Sequence, residues 1–224
     1  MIHYHCADIH PVNKCLELGG RHLLVSHAYP GRVRLAHEIG QSVLLDNGAF
    51  SKWRSGKDTN WSEYYNWADE WLCCPTTWAI IPDVIDAGHE AQDALITEWP
   101  HGQRGAPVWH TDEPLGRLLR LCDEWPKVCL GSSGQHPINS TAWKHVMDLA
   151  FNAVTARHSR LPWLHGLRMQ GVGANYPFGS VDSADIARNN NRPQNSINKM
   201  ADKWDRQQPP IRWSVRPEQQ DLIA

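Results

Sequence analysis

Eight short apolar or β-branched runs, separated mostly by helix-period stretches over 224 residues, predict an α/β chain folded as a compact (β/α)8, TIM-like barrel. Each run ends in Gly, Pro, Asp or Ser, where a strand gives way to a loop. No Gly-x-Gly-x-x-Gly turn follows any of them, which weighs against the rival open doubly wound sheet. The length suits a single domain, residues 1–224.

Ile2 to Cys6, His22 to Ser26 and Ser42 to Asn47 are the first three predicted strands. Between them lie the helical stretches Val12 to Leu18, stopped by Gly19-Gly20, and Val33 to Ile39, stopped by Gly40. Trp61 to Leu72 precedes the fourth strand, Trp78 to Asp83, and His89 to Trp99 precedes the fifth, Ala106 to Thr111. Leu115 to Trp125 leads to Val128 to Ser133, and Ala142 to His158 leads to Leu164 to Gln170. Before the eighth strand, Gly179 to Asp182, the segment GVGANYPF is too short and too rich in Gly and Pro for a helix, so a loop is expected to cross the barrel mouth. Asn195 to Arg206 is the closing helix. From about residue 207 a tail with Pro209-Pro210 and Pro217 is expected to lie extended on the surface.

A formal net charge of -2 lacks the broad basic footprint of a protein that grips nucleic acid by bulk electrostatics. Any such contact must be local. The 12 tryptophans offer stacking surface, although most are expected as partly buried hydrophobes. The six cysteines, Cys6, Cys15, Cys73, Cys74, Cys122 and Cys129, show no C-x-x-C spacing, so no metal site and no cofactor is expected. With no secretory leader and no long apolar run, the chain reads as cytosolic, with reduced thiols and no membrane partner.

In a barrel of this kind chemistry gathers at the C-terminal strand ends. Those positions carry Asp46, Asp83, His110, Ser132 with Ser133, Met169 with Gln170, and Asp182. Locally, Asp182 reads either as a cap for the helix that follows or as a nucleophile or base fixed by its strand. A second strand-end carboxylate, Asp46, lets two groups divide nucleophilic and acid/base work. Phe50 and Met169 could sandwich a planar ring. His110 reads either as a contact to base or sugar or as a plain core histidine. Arg188, Arg192, Lys199, Lys203 and Arg206, interleaved with Trp204, are either a phosphate track or a solvated helix face.

These pieces resemble, in order, the motifs of tRNA-guanine transglycosylases, a (β/α)8 family that exchanges guanine for a 7-deazaguanine. LLDNGAFS at Leu44 to Ser51 is similar to D-S-G-G-F/Y-Q, and Ile81-Pro82-Asp83 to the strand end whose aspartate reads the base. Val108-Trp109-His110 stands where the family has V-Q-G, Leu130-Gly131-Ser132 where it has I-G-G, and LRMQGVG at Leu167 to Gly173 resembles L-M-G-V-G with one residue inserted. VDSADIAR at Val181 to Arg188 resembles F-D-C-V-L-P-T-R. The family's C-x-C-x-x-C zinc module is absent, since no cysteine follows Cys129, and the chain is much shorter than the tRNA enzymes. It therefore looks more like the short DpdA branch of phages and bacterial DNA-modification islands, which places 7-deazaguanines in DNA.

The resemblance implies that Asp182 attacks C1′ to give a covalent glycosyl ester while Asp46 protonates the departing guanine. Asp83, with backbone N–H groups near Gly131 and Ser132, would read the base, and Phe50 and Met169 or Gln170 would stack on it. The implied partners are DNA with a flipped or single-stranded guanine, the free deazaguanine base and an ATPase or helicase that opens the duplex. Alternatives in view are exchange in RNA, simple N-glycoside hydrolysis and a non-catalytic nucleic-acid-binding barrel.

Overall fold

The computed structural model describes residues 1–56, 60–85 and 87–216. Nine parallel strands form one nearly closed barrel: β1 (Ile2–Cys6), β2 (His22–Ser26), β3 (Ser42–Asp46), β4 (Thr77–Ile80), β5 (Gly105–Ala106), β6 (Val108–His110), β7 (Lys127–Gly131), β8 (Trp163–Gly166) and β9 (Ser180–Ser183). The extra strand is a division of the expected fifth. Pro107 has no N–H, so the ladder breaks there. On one side of it β5 pairs with β4, on the other β6 pairs with β7, and the Pro107 carbonyl accepts from the Cys129 N–H at 2.8 Å. One bent stretch thereby joins the sheet's two ends, with β1 paired to β9 and β2 on its other sides.

The helices between strands are α1 (Val33–Ile39), α2 (Ala49–Arg54), α3 (Trp61–Leu72), α4 (His89–Glu98), α5 (Leu115–Glu124), α6 (Thr141–Arg157), α7 (Asp185–Asn189) and α8 (Ile197–Asp205). Val12–Leu18, expected as a helix, is a 3-10 helix. Asn60 caps α3 by accepting from the Ser62 N–H, and Ser140 caps α6 by accepting from the Trp143 N–H.

Alternation along each strand sorts side chains into two layers. Outward residues such as Leu23, Leu45, Ile81, Leu130 and Val181 are fully buried beneath the helices, each contributing about 1.5–3 kcal/mol of burial. Inward residues include Tyr4, Leu24, Leu44, Trp78, Ile80, Val108 and Cys129. Polar groups share this interior: the Tyr4 hydroxyl accepts from Trp78 Nε1 at 2.9 Å and from Ser42 Oγ at 3.1 Å. Trp78, Trp99, Trp109, Trp143 and Trp213 are buried and Trp61, Trp67, Trp71, Trp125 and Trp204 half-buried, as expected for most tryptophans.

One connection differs from expectation. The segment from Gly171 to Phe178 does not cross the mouth; it takes the place of a helix on the barrel's outer face. Its aromatic residues explain why. Tyr176 stacks on Phe151 of α6 at 5.3 Å, and Phe178 meets Phe151 edge-on, also at 5.3 Å. The tail folds over the same patch, Trp213 stacking on Tyr176 at 5.5 Å while its indole N–H donates to Asn152 at 2.9 Å. Pro217 lies outside the described residues.

Candidate active site

The C-terminal strand ends surround a cavity of about 720 Å³. Among the residues that line it are Asp46, Asp83, His110, Gly131, Ser132, Asp182 and Phe50, together with Arg168 and Arg188. Three carboxylates from β3, the β4 end and β9 thus face one space.

Asp46 ends β3, half-buried, and its carboxyl is pushed up to about 6. Burial is the main cause; hydrogen bonds from Ser26 and the Gly48 amide oppose it, while the charges of Asp182 and Asp83 add to it. Asp83 lies deeper. Its Oδ1 accepts from Asn47 Nδ2 at 2.8 Å, and Oδ2 lies 3.2 Å from His110 Nε2. The same Asn47 amide also donates to the Ile81 carbonyl at 3.0 Å, and its oxygen accepts from the Ala49 N–H at 2.8 Å, closing the turn that leads into α2.

His110 has a carboxylate on each nitrogen, Asp83 on one and Glu113 on the other at 3.4 Å. Burial alone would lower its pKa, but hydrogen bonds and charge from both carboxylates outweigh this and raise it to about 9. The ring is therefore an imidazolium at neutral pH. Behind it, Glu113 accepts from Arg117 at 2.6 Å, and Arg117 donates to Asp93 at 2.9 Å. Gly131 is needed beside this ring, since a Cβ there would come within 2.8 Å of His110 Cδ2.

Asp182 is turned into the barrel rather than onto the following helix; Ser183 Oγ takes the local turn role, accepting from the Asp185 N–H at 3.0 Å. Asp182 Oδ1 accepts from the Arg168 N–H at 2.8 Å and lies 3.2 Å from His165 Nε2. Arg168 has φ of 57°, a left-handed backbone that side chains rarely adopt. This turn aims its N–H at Asp182 while its guanidinium lies 4.0 Å from the Phe50 ring centroid.

No protein-family model and no curated protein matches the chain. A solved structure from a structural study of Aquifex aeolicus VF5 aligns with TM-score 0.48 and 10% identity, covering 92% of this chain and 89% of that one.

Not every expected site residue reaches the cavity. Met169 and Gln170 are buried on the barrel's outer side: Met169 packs in the cluster with Phe151 and Phe178, and Gln170 Nε2 lies 3.5 Å from His3 Nδ1. The physical reason is that β8 ends at Gly166, four residues earlier than expected, so Leu167 and Arg168 occupy the rim. Neither Met169 nor Gln170 can stack on a base there. The basic run is also divided. Arg188 lines the cavity, but α8 runs alongside β1, and beyond its end the Gln207 carbonyl lies 3.0 Å from His3 Nε2. Arg192, Lys199, Lys203 and Arg206 are exposed, with Arg206 at the far end of α8.

Sequence reading missed His165, Asn47, Glu113, Arg117 and Arg168. His165 sits at an inward position of an otherwise apolar strand, two residues before the inward Leu167, and that parity was its available signal. Glu113 and Arg117 stand three and seven residues after His110, a spacing that places them at the start of a helix behind the ring. Among the described residues, no group of three or more His, Cys, Asp or Glu side chains converges to hold a metal ion, and no helix is long and apolar enough to cross a membrane.

Proposed function

We propose that this chain is a base-exchange transglycosylase that replaces guanine in DNA with a 7-deazaguanine through a covalent aspartyl-glycosyl intermediate. The observation that carries the reading is that Asp46 and Asp182 face one cavity under opposite conditions. Asp46 is lifted to about 6 by burial and neighbouring charge, while Asp182 is met by an N–H donor and a histidine. Such a pair suits displacement at an anomeric carbon, where one carboxylate attacks and the other carries the proton.

In the first half-reaction an Asp182 carboxylate oxygen bonds C1′, the glycosidic C–N bond breaks with its electrons going to guanine, and Asp46 gives its proton to the leaving nitrogen. In the second, Asp46 takes the N9 proton of the incoming deazapurine as that nitrogen bonds C1′ and the ester C–O bond breaks. Phe50, backed by the Arg168 guanidinium, offers one flat face to the base. Asp83 and the amides beside Gly131 and Ser132 line the same cavity and supply the polar contacts that separate guanine-like rings from adenine. The absence of the tRNA enzymes' zinc module and the near-neutral charge favour DNA, entered as a flipped or single-stranded nucleotide, over a large folded RNA.

The test supplies labelled 7-deazaguanine with DNA or unmodified tRNA at one salt concentration and follows incorporation. Incorporation into DNA, abolished by Asp182→Ala and by Asp46→Ala with folding intact, is the expected result. Incorporation into tRNA alone would overturn the choice of polymer, and release of guanine without incorporation would make the protein an N-glycosidase.

A further inference from the structure

We propose that His165 positions the nucleophile, as the last link of a one-way chain of neutral hydrogen-bond donors that runs through the barrel from Trp163 to Asp182. The consequence for catalysis rests on the transglycosylase reading; the chain itself does not.

Direction follows from what each group can give. Trp163 Nε1 is only a donor and lies 2.9 Å from Ser180 Oγ. Ser180 is fully buried, and its other partner among the described residues is His165 Nδ1 at 2.8 Å. Were His165 to donate from Nδ1, the Ser180 hydroxyl would accept twice and its own hydrogen would be sealed away with no acceptor. The satisfied arrangement has Ser180 donating to Nδ1, which places the ring proton on Nε2, 3.2 Å from Asp182 Oδ1.

The ring is held in that pose. Fully buried, it meets Trp78 edge-on at 5.2 Å and Tyr4 edge-on at 5.9 Å. At the start of the chain, a side chain at Gly179 would bring its Cβ within 2.8 Å of the Trp163 ring, so the bare backbone there lets the indole lie flat.

Asp182 Oδ1 thus receives two donors, His165 Nε2–H and the Arg168 N–H, while Oδ2 takes none from the described residues and is left to the cavity. Nothing else nearby can do this. Among the described residues no other group donates a hydrogen bond to the Asp182 carboxylate, and Arg188 stands exposed at the mouth. His165 therefore fixes which oxygen attacks and along which line, a positioning role rather than a proton-transfer one.

Nitrogen-15 spectra of the histidine rings in the full chain, with His165 assigned by its loss in His165→Gln, read the proton's location directly. A protonated Nε2 and a bare Nδ1 are expected. A ring protonated on Nδ1, alone or with Nε2, would overturn the proposal. In base exchange, His165→Asn, whose amide cannot reach Asp182, is expected to lower kcat about 100-fold with KM nearly unchanged, while His165→Gln, whose amide falls near the Nε2 position, recovers to within about tenfold. Equal loss in both variants, or a change in KM alone, would also overturn it. Trp163→Phe, which keeps the ring and removes only the first donor, guards against misfolding and is expected to lower kcat by a few-fold. A bare Nδ1 in a protein that exchanges no base would leave the donor chain standing and remove the transglycosylase reading alone.

Discussion

His110→Gln separates the charge of this ring from its shape. In the wild type the imidazolium lies between the carboxylates of Asp83 and Glu113, with little solvent access, and its pKa stands at about 9 against an ordinary 6.5. A raised value means the proton favours the folded state. That stability is fully present below about pH 6.5 and is lost as pH rises through about 9. Two and a half pH units correspond to at most about 3 kcal/mol, of which about 2 kcal/mol survives at pH 7.5 and almost none at pH 10. In His110→Gln this slope is missing, and the variant is weaker at neutral pH by about 3–5 kcal/mol, because two buried carboxylates then face one another without the cation. Urea denaturation of both proteins at about pH 7.5 and 10 reads it out. The stability gap should narrow by about 2 kcal/mol between those values. A gap that stays constant would show that His110 is not charged in the folded protein and would refute the reasoning.

The same linkage runs the other way at Asp46. Its folded pKa of about 6 exceeds the ordinary 3.8, so the stability from its proton is present at low pH and lost as pH rises through 6; Asp46→Asn should therefore raise thermal stability at pH 7.5, by up to about 3 kcal/mol, while removing base exchange. Calorimetry beside the exchange assay checks both halves, and a destabilised Asn variant would count against a buried, strained carboxyl. At Arg168 the left-handed backbone makes Arg168→Gly more stable than Arg168→Ala by about 1 kcal/mol in urea unfolding, since only Gly adopts that φ freely. Equal stabilities would mean the turn relaxes. In a DNA-binding titration, Arg188→Glu should weaken affinity several-fold, whereas Lys203→Glu with Arg206→Glu should leave it within about twofold, because only Arg188 borders the cavity.

The barrel was legible because its strands are short, apolar and punctuated, and the strand expected over Ser42 to Asn47 ends one residue earlier, at Asp46. At β8 the same logic overran. LHGLRMQ stays half apolar beyond Gly166, and nothing in a period-2 pattern reveals that Arg168 turns left-handed, so Met169 and Gln170 read as rim residues although they pack outside. Pro107 had no effect on the expected strand, yet the missing N–H splits it. Spacing along Arg188 to Arg206 gave the face of a helix but not its height on the barrel, and height decides which cation meets a ligand at the rim. The segment before β9 holds no α-helix, only a 3-10 turn at Gly173–Asn175; its Tyr176 and Phe178 were the signal that it would seek cover against α6 instead of spanning the mouth.

Three carboxylates around one cavity repel one another, and the fold meets that repulsion differently at each. Asp46 takes up a proton near neutrality, because burial and the two neighbouring charges all push the same way. Asp83 is set against a cation, the His110 ring, whose charge is in turn balanced by Glu113, itself paired with Arg117 behind it. Asp182 is met by neutral donors alone, one from the backbone of Arg168 and one from His165. The difference matters for chemistry. A cation on Asp182 would compete with an oxocarbenium-like carbon for its charge, whereas N–H donors confined to Oδ1 leave the other oxygen free to approach it. Under the proposed transglycosylase reading, placing the cation on Asp83 instead keeps it on the carboxylate that would read the base, where a fixed charge would sharpen discrimination without quenching the nucleophile. The site's division of labour therefore follows from which partner each strand end can reach: a pocket wall for β3, a helix-backed histidine for β4, and the polar barrel interior for β9.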